Sequence, residues 1–503
     1  MPIFILRNFQ GLNEIMVPGE DPRFTRNLDN VKIRQGKIIG RGGLDELRDI
    51  TTASSTTPII GLMSYTGSTL NTTLVRITPT KVASLNTGTD VWDDITGTAF
   101  TAASTDRPQF TRHKGDLCFT VEGGGTRPRK WTGTGNTAVL GGTPPFCKAI
   151  ESYYNFLLLG NTSTDGTTFA PRRIIASEDY DGATGWDSCN AITINFNETA
   201  GGILATKVFG REVIVYKSDA LIQLRSVGST VRFAHERIPF PHGILAPLSV
   251  QNAGDLGHIF LATDYALYIT NGTEVKPLPP YVQVKLQETM VKASAIDCRS
   301  AIKASEDTYH FIYKSASGDT WFDSRISYNY RTGEFYHSSF AGHEFISLLG
   351  FRYDNTQDEL LAASTTDLVF DLDNTDSTDA GTVVARVYDT DWLSFGTDDP
   401  KKLHRVKIVA TKTTGARIKV SVAFDDIETF FYEKGFDLRG RPTEKDTIVE
   451  YTIPANCEAR SFNLKIKMYH DSDDVQIKAL VFEYDPIARH LDESIDRPSS
   501  PIG

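Results

Sequence analysis

Cysteine is scarce in this chain: five residues (Cys118, Cys147, Cys189, Cys298 and Cys457) in 503, far apart and odd in number. A disulfide framework or a thiolate zinc site needs close, paired spacings such as C-x-x-C, so neither is expected. The five read as small buried hydrophobes of a protein made in a reducing cytoplasm. The ten histidines never fall at H-x-H, H-x-x-x-H or H-E-x-x-H spacing, which argues against a metal hydrolase. Long apolar runs are missing as well. The opening MPIFILRNFQGLN holds an apolar stretch of five residues before Arg7, too short for a signal-peptide core. Nothing later approaches the roughly 20 residues of a membrane span. There is no basic excess: 52 Lys+Arg against 63 Asp+Glu leaves a net charge of −11, so no bulk attraction to nucleic acid is expected.

Helical periodicity is confined to Tyr281–Lys292 and the tail Ile487–Arg497. Elsewhere β-branched and aromatic runs are cut by Gly, Asn, Asp, Ser or Thr, which is the pattern of strands and turns. Residues 51–143 contain 23 Thr, a residue that suits sheet faces and weakens helices. Hairpins are legible mid-chain: Val213–Tyr216 returning through Ala220–Arg225, Ile259–Ala262 through Tyr265–Ile269, Arg325–Tyr330 through Glu334–His337, and Leu360–Ala363 through Leu368–Leu372. Strand–turn–strand units centre near Pro79, Gly124, Thr164, Asp219, Asp264, Asp319 and Asp367, at intervals of 40 to 55 residues. Four short strands with their turns need about 40–50 residues, the size of a propeller blade.

The expected fold is therefore all-β: a β-propeller of about seven blades, within a range of six to eight, over 51–380. Longer alternating runs after the acidic segment Asp371–Gly381 predict a β-sandwich-like domain over 381–485. Residues 1–50 read as an N-terminal arm and 486–503 as a tail. Six apolar residues of the arm (Ile3, Phe4, Ile5, Leu6, Phe9 and Leu12) need cover, and are expected to make assembly contacts.

Several motifs carry a chemical and a bland reading. Gly133-Thr-Gly135-Asn-Thr-Ala138 has the letters of a dinucleotide fingerprint, but Gly141-Gly142 and Pro144-Pro145 forbid the helix that motif requires, which leaves a blade-tip loop. Asp371, Asp373, Asp376 and Asp379 do not follow calcium-loop spacing and read as a solvated linker, as do Asp471, Asp473 and Asp474. Ser163-Thr-Asp165-Gly166 and Ser317-Gly-Asp319 echo the Asp boxes of sialidase-type propellers, which are structural turns. Arg127, Arg129 and Lys130 beside Trp131 read as a solvated hairpin anchored by the Trp rather than a phosphate site. No catalytic residue, metal site or cofactor is expected.

With a propeller and a sandwich in view, certain segments resemble a known family. Phe9-Gln-Gly11-Leu12-Asn13, Asn27-Leu-Asp-Asn30-Val31 and Gly36-Lys-Ile-Ile-Gly-Arg-Gly-Gly43 are similar to the leader of tail proteins from short-tailed bacteriophages, with Gln10 where the family usually has Gly. The segments at 208–224, 241–250, 260–278 and LVFEYDP at 480–486 resemble the same proteins, the propeller-bearing tail hub or nozzle. The resemblance implies a non-enzymatic structural virion protein assembled in the bacterial cytoplasm, a homo-hexameric ring below the portal and adaptor that carries tail fibres or spikes. DNA would pass through its lumen without being gripped, since each phosphate contact adds affinity that retards sliding. The alternatives are a carbohydrate-binding or glycan-hydrolysing propeller and a monomeric cytoplasmic scaffold.

Overall fold

The computed structural model describes residues 2–15, 20–25, 27–47, 57–67, 72–122, 126–177, 186, 191–228, 232–340, 342–352, 358–372, 374, 378–411, 416–425, 429–438, 446–453, 457–469 and 475–487. The chain divides into two compact units. One spans Arg41–Val384 with Asn13–Ile15; the other is built from both ends, Met1–Leu12, Met16–Gly40 and Ala385–Gly503.

The unit formed by Arg41–Val384 is a seven-bladed propeller. Five antiparallel four-stranded sheets follow one another along the chain, at 61–94 (blade 1), 109–139 (blade 2), 146–195 (blade 3), 203–237 (blade 4) and 251–277 (blade 5), and four antiparallel strands over 299–339, part of a six-stranded sheet, form blade 6. Blade 7 has three strands from late in the unit (Phe345–Arg352, Asp358–Ser364 and Val369–Leu372) and takes its outer strand, Leu44–Glu46, from the beginning. Six of the seven centres expected from the sequence fall at the turn joining the second and third strands of a blade, and the seventh, Gly124, lies outside the described residues. The expected hairpins match to within about two residues. The helical run at Tyr281 forms a helix over Pro280–Thr289, between blades 5 and 6.

A lone four-stranded sheet leaves both faces wet, so the blades are stable only against each other. The buried clusters lie between neighbours. Met63, Val75 and Ile77 of blade 1 meet Leu117, Phe119 and Trp131 of blade 2. Leu158 and Ile174 of blade 3 meet Val213, Val215 and Leu224 of blade 4. Tyr216 and Ile214 of blade 4 meet Phe260 and Ala262 of blade 5. Leu62 and Leu74 of blade 1 meet Phe351 and Leu361 of blade 7, which closes the ring. Polar links accompany this packing. His258 of blade 5 is buried: its Nδ1 accepts from Tyr216 Oη at 2.9 Å, and its Nε2–H donates to the Val208 carbonyl at 3.1 Å, both in blade 4. Burial holds this imidazole neutral, pushing its pKa down to about 4.

Two ionic contacts attend closure. Arg76 of blade 1 lies 2.8 Å from Asp367 in the blade 7 turn and stacks over Trp92. Burial pushes the Asp367 carboxyl up and the Arg76 guanidinium down, so desolvation outweighs the attraction and the pair serves register more than net stability. Arg41, just ahead of the closing strand, makes a bidentate pair with Asp379: Nη1 to Oδ1 at 3.0 Å and Nη2 to Oδ2 at 2.7 Å, with the side chains 0% and 4% exposed. The guanidinium also faces the Phe340 ring at 4.8 Å and donates to the Ser339 carbonyl in blade 6.

The second unit has two sheets whose strands alternate buried and half-exposed residues, as a sandwich requires. One sheet orders Asp446–Thr452, Lys401–Thr411, Gln476–Pro486, Lys37–Gly40 and Val31–Arg34, with Ile3–Leu6 also on Gln476–Pro486. The other orders Asn27–Asp29, Arg386–Asp389, Phe462–Tyr469, Arg417–Phe424 and Phe431–Asp437. Phe395 joins the two, its ring 5.7 Å from Phe462 in one sheet and 5.3 Å from Phe482 in the other.

This corrects the expected arm over 1–50. Residues up to Gly40 supply strands to both sandwich sheets, and Leu44–Glu46 belongs to the propeller. The physical reason is pairing: Val31–Arg34 and Lys37–Gly40 form a local hairpin, but Ile3–Leu6, Asn27–Asp29, Lys37–Gly40 and Leu44–Glu46 each pair with a strand more than 300 residues away. The sandwich expected at 381–485 thus also needs the first 40 residues. The tail expected at 486–503 lies outside the described residues beyond Ile487, as does the helix expected at Ile487–Arg497.

Two outcomes test this account. Arg41→Met or Asp379→Asn should each destabilise the propeller by about 3–5 kcal/mol, because the surviving partner stays buried and unpaired; urea unfolding measures it, and losses under about 1 kcal/mol would show that closure does not depend on the pair. For His258, the folded imidazole titrates near 4 and the unfolded one near about 6.5. Between those values the unfolded chain binds more protons, so stability falls as pH drops from about 6.5 to 4, by up to about 3 kcal/mol, and this contribution is complete above that window. His258→Gln should flatten that part of the urea-midpoint profile; parallel profiles would show that another group controls it.

Candidate functional site

The six apolar residues near the N-terminus separate into two sets. Leu6, Phe9 and Leu12 are buried. Phe9 meets Tyr388 edge-on at 5.7 Å, and the half-buried Phe4 lies 5.2 Å from Phe395 and 6.1 Å from Phe482. Ile3 and Ile5 remain 59% and 55% exposed. The alternation of a strand explains the split: Phe4 and Leu6 point into the sandwich, and Ile3 and Ile5 point away.

The pairing registers identify what shares the outer face with Ile3 and Ile5. Ile3 stands opposite Glu483, Glu483 opposite Arg405, and Arg405 opposite Thr452. One row on, Ile5, Val481, Lys407 and Glu450 align, and then Ala479, Val409 and Ile448. Ile448 is 60% exposed. In the middle of the face the charges pair across strands: Arg405 with Glu450 at 3.0 Å and Glu483 at 3.8 Å, Lys407 with Glu483 at 2.5 Å and Glu450 at 3.9 Å. The hydrogen bond from Lys407 holds the Glu483 carboxyl below its ordinary range. The result is a charge-balanced ladder flanked by exposed isoleucines, on a sheet whose Ile3–Leu6 edge has no further strand among the described residues.

A second locus lies on the propeller axis. The inner strands of six blades line a cavity of about 250 Å³, among them Leu62, Gln109, Phe110, Lys207, Gln251 and Arg299. Inner strands of blades 6 and 7 approach closely there: a Cβ on Gly350 would sit 2.0 Å from the Ile302 carbonyl, so only glycine fits. Most polar groups of the lining are engaged. Gln251 donates to the Ser300 carbonyl at 2.7 Å, Gln109 Nε2 to the Leu204 carbonyl at 2.8 Å, and the Leu62 amide to Ser347 Oγ at 3.2 Å. Lys207 Nζ lies 3.6 Å from Glu151, whose carboxyl burial pushes up. Three buried atoms have no partner: Gln109 Oε1, and Nε and Nη2 of Arg299. The sequence around Arg299 reads as an ordinary strand, and no spacing signal marks it.

The remaining motifs are structural. Gly133 and Gly135 take positive φ in a turn that leads to the strand Ala138–Val139, and Trp131 donates to the Gly135 carbonyl at 3.0 Å. Arg127 donates to the Pro144 carbonyl over the Phe146 ring, and Lys130 pairs with Asp116 at 3.1 Å. Arg129 is buried, not solvated as the sequence suggested, and donates to the Thr96 carbonyl at 2.7 Å. Asp165 caps a turn by accepting from the Thr168 and Thr167 amides and Ser163 Oγ, which holds its carboxyl far below the usual range. Asp371 lies in a blade 7 strand and Asp379 on Arg41; Asp373, Asp376, Asp471, Asp473 and Asp474 fall outside the described residues. Among the described residues no three His, Cys, Asp or Glu are grouped to hold a metal ion. No helix there is long and apolar enough to cross a membrane. Cys118 and Cys147 are buried free thiols, pushed up to about 12 by desolvation; Cys298 and Cys457 are buried and free as well.

No protein-family model matches the chain, and no curated protein matches it. Solved structures similar to it include the WD40 domain of Neurospora crassa Pan2, with a TM-score of 0.41 and 9% identity over 66% of this chain and 94% of that one. BBS1N in complex with ARL6DN gives 0.39 and 11%, over 66% and 96%. The extracellular domain of the putative hybrid two-component system BT4673 from B. thetaiotaomicron gives 0.42 and 8%, over 72% and 43%. The propeller is established by its seven sheets and their closure.

Proposed function

We propose that this chain is a structural virion protein of a phage tail, a ring-forming hub or nozzle that extends the DNA-ejection channel below the portal and adaptor and mounts fibres or spikes. The observation that carries the reading is the outer sandwich face, where Ile3, Ile5 and Ile448 flank a neutral ionic ladder. Each copy carries a net charge of −11, so copies repel at long range. A ring of such copies needs contact surfaces that are locally neutral and apolar, and this face has both properties. The leader segments that resemble the tail-hub family build this same sandwich unit, at Asn27–Asp29, Val31–Arg34 and Lys37–Gly40. The occupant of the face is a neighbouring copy. An acidic chain suits a conduit for DNA, because a wall poor in Lys and Arg contacts leaves the duplex free to slide.

Deleting the first twelve residues would not test this cleanly, since Leu6 and Phe9 are core and removing such side chains costs about 2–5 kcal/mol each. The pair Ile3→Asp and Ile5→Asp alters the outer face alone. The unmodified chain, incubated with a portal–adaptor complex, should give a ring by native mass spectrometry. The double variant should stay monomeric while melting within about 2 °C of the parent. A parent that ignores the portal–adaptor complex, or a double variant that still forms rings, would refute the proposal.

A further inference from the structure

The sandwich unit ends in two unlike flanks. On one side the terminal strands are Phe431–Asp437 and Asp446–Thr452, the last strands of the two sheets among the described residues. The Tyr451 hydroxyl donates to the Tyr432 carbonyl, and the Phe436 and Tyr451 rings meet edge-on at 5.8 Å, so these two strands share a flank. At the opposite side Asn27–Asp29 ends one sheet and Val31–Arg34 ends the other, joined through Asn30, with Ile3–Leu6 terminal on the same sheet as Val31–Arg34.

Both flanks carry exposed apolar side chains: Ile3 and Ile5 on one, Phe431, Tyr432 and Ile448 on the other. In Phe431–Asp437 six of seven residues are exposed and Phe436 is half-buried, so neither face of that strand is covered and its outer edge is open. Such an edge is a ready template for contact with another chain. The charges of the flanks are opposite. Phe431–Asp437 and Asp446–Thr452 carry Glu433, Asp437, Asp446 and Glu450 against Lys434 alone. Four of the cations that balance these acids, Lys419, Arg417, Lys478 and Arg405, stand one or two strands further in, which leaves the edge itself acidic. The other flank carries Arg7, Lys32 and Arg34 against Asp29, with Arg7 and Arg34 exposed.

We propose that copies of this chain join head to tail through opposite flanks of the sandwich, Ile3 and Ile5 of one copy packing on Phe431, Tyr432 and Ile448 of the next. The occupant is a second copy because the complement of each flank, apolar and of opposite charge, is present on the same chain at the other flank. Like flanks repel, which disfavours a two-fold dimer, and a contact between two different patches leaves one of each patch open for a further copy, as a ring requires. This rests on the reading above that copies meet through the sandwich, and it names which flank meets which.

The test uses the full chain and two double variants, Ile3→Asp with Ile5→Asp and Phe431→Asp with Ile448→Asp, in a concentration series by analytical ultracentrifugation, without portal or adaptor. The parent should associate beyond a dimer, and each variant alone should stay monomeric. Their equimolar mixture should form a dimer and nothing larger, because each brings one intact flank. Ile5→Cys mixed with Ile448→Cys should cross-link through a short bis-maleimide, and neither should cross-link to itself above the parent; this pair decides the matter if an Asp variant melts more than about 2 °C below the parent. Arg7→Glu, facing an acidic edge, should weaken association about fivefold. A parent that stays monomeric, an Asp variant that assembles alone, a mixture of folded variants that stays monomeric, Ile5→Cys cross-linking to itself, or tighter association by Arg7→Glu would each overturn the proposal. Indifference of an assembling parent to the portal–adaptor complex would refute the tail reading alone.

Discussion

Closure of the propeller is the constraint on which the rest of that unit depends. Every blade buries its faces against its neighbours, so a ring that failed to close would leave one face of blade 7 and one of blade 1 wet. The hydrophobic effect favours closure but does not select the register; an apolar face slides at little cost. Selection comes from directional contacts: the ladder between Leu44–Glu46 and Val369–Leu372, the bidentate pair of Arg41 with Asp379, and Arg76 on Asp367. Two of these are ion pairs, and for Arg76 with Asp367 desolvation outweighs the attraction. Their value lies in the penalty for misalignment, which would strand a charge in the interior.

The same physics separates the two candidate loci. At the outer sandwich face, Arg405 and Lys407 stay near water and share Glu450 and Glu483, so the ladder itself adds little stability. Its effect is to neutralise a patch of an acidic chain, and the exposed Ile3, Ile5 and Ile448 then supply the apolar area for contact. At the axis the balance is reversed. Arg299 sits in low dielectric without an acceptor for two of its donors, and the electrostatic cost is concentrated on one side chain. A charge-balanced face with exposed isoleucines and a buried cation lacking acceptors therefore occur in one chain and rest on separate residues.

Much of the fold was legible locally. Strand alternation and turn residues such as Asp219, Asp264 and Asp367 are short-range signals, and the six blade centres among the described residues follow from them. The helix at Pro280–Thr289 and the long sandwich strands were legible for the same reason. The strand Phe431–Asp437 was missed because its residues are almost all exposed, so it shows no apolar alternation to detect. The site was less legible. Ile3 and Ile5 stood out as apolar residues in need of cover, but so did Leu6 and Phe9, whose cover is already present in the same chain. Arg299 carried no signal, since an unpaired donor is a property of its surroundings.

By itself the sequence determined what depends on neighbours a few residues apart: an all-β chain, strands of a given length, turns at a regular period, and a texture change before the sandwich. Only the tertiary structure decided where the ends go. Ile3 pairs with Glu483 and Leu44 with Leu372, contacts whose partners lie hundreds of residues apart. Backbone donors and acceptors in a short strand specify that a partner must exist without specifying which one, because every strand offers the same groups. The choice is made by side-chain packing and buried charge, and those appear only once the chain has closed on itself.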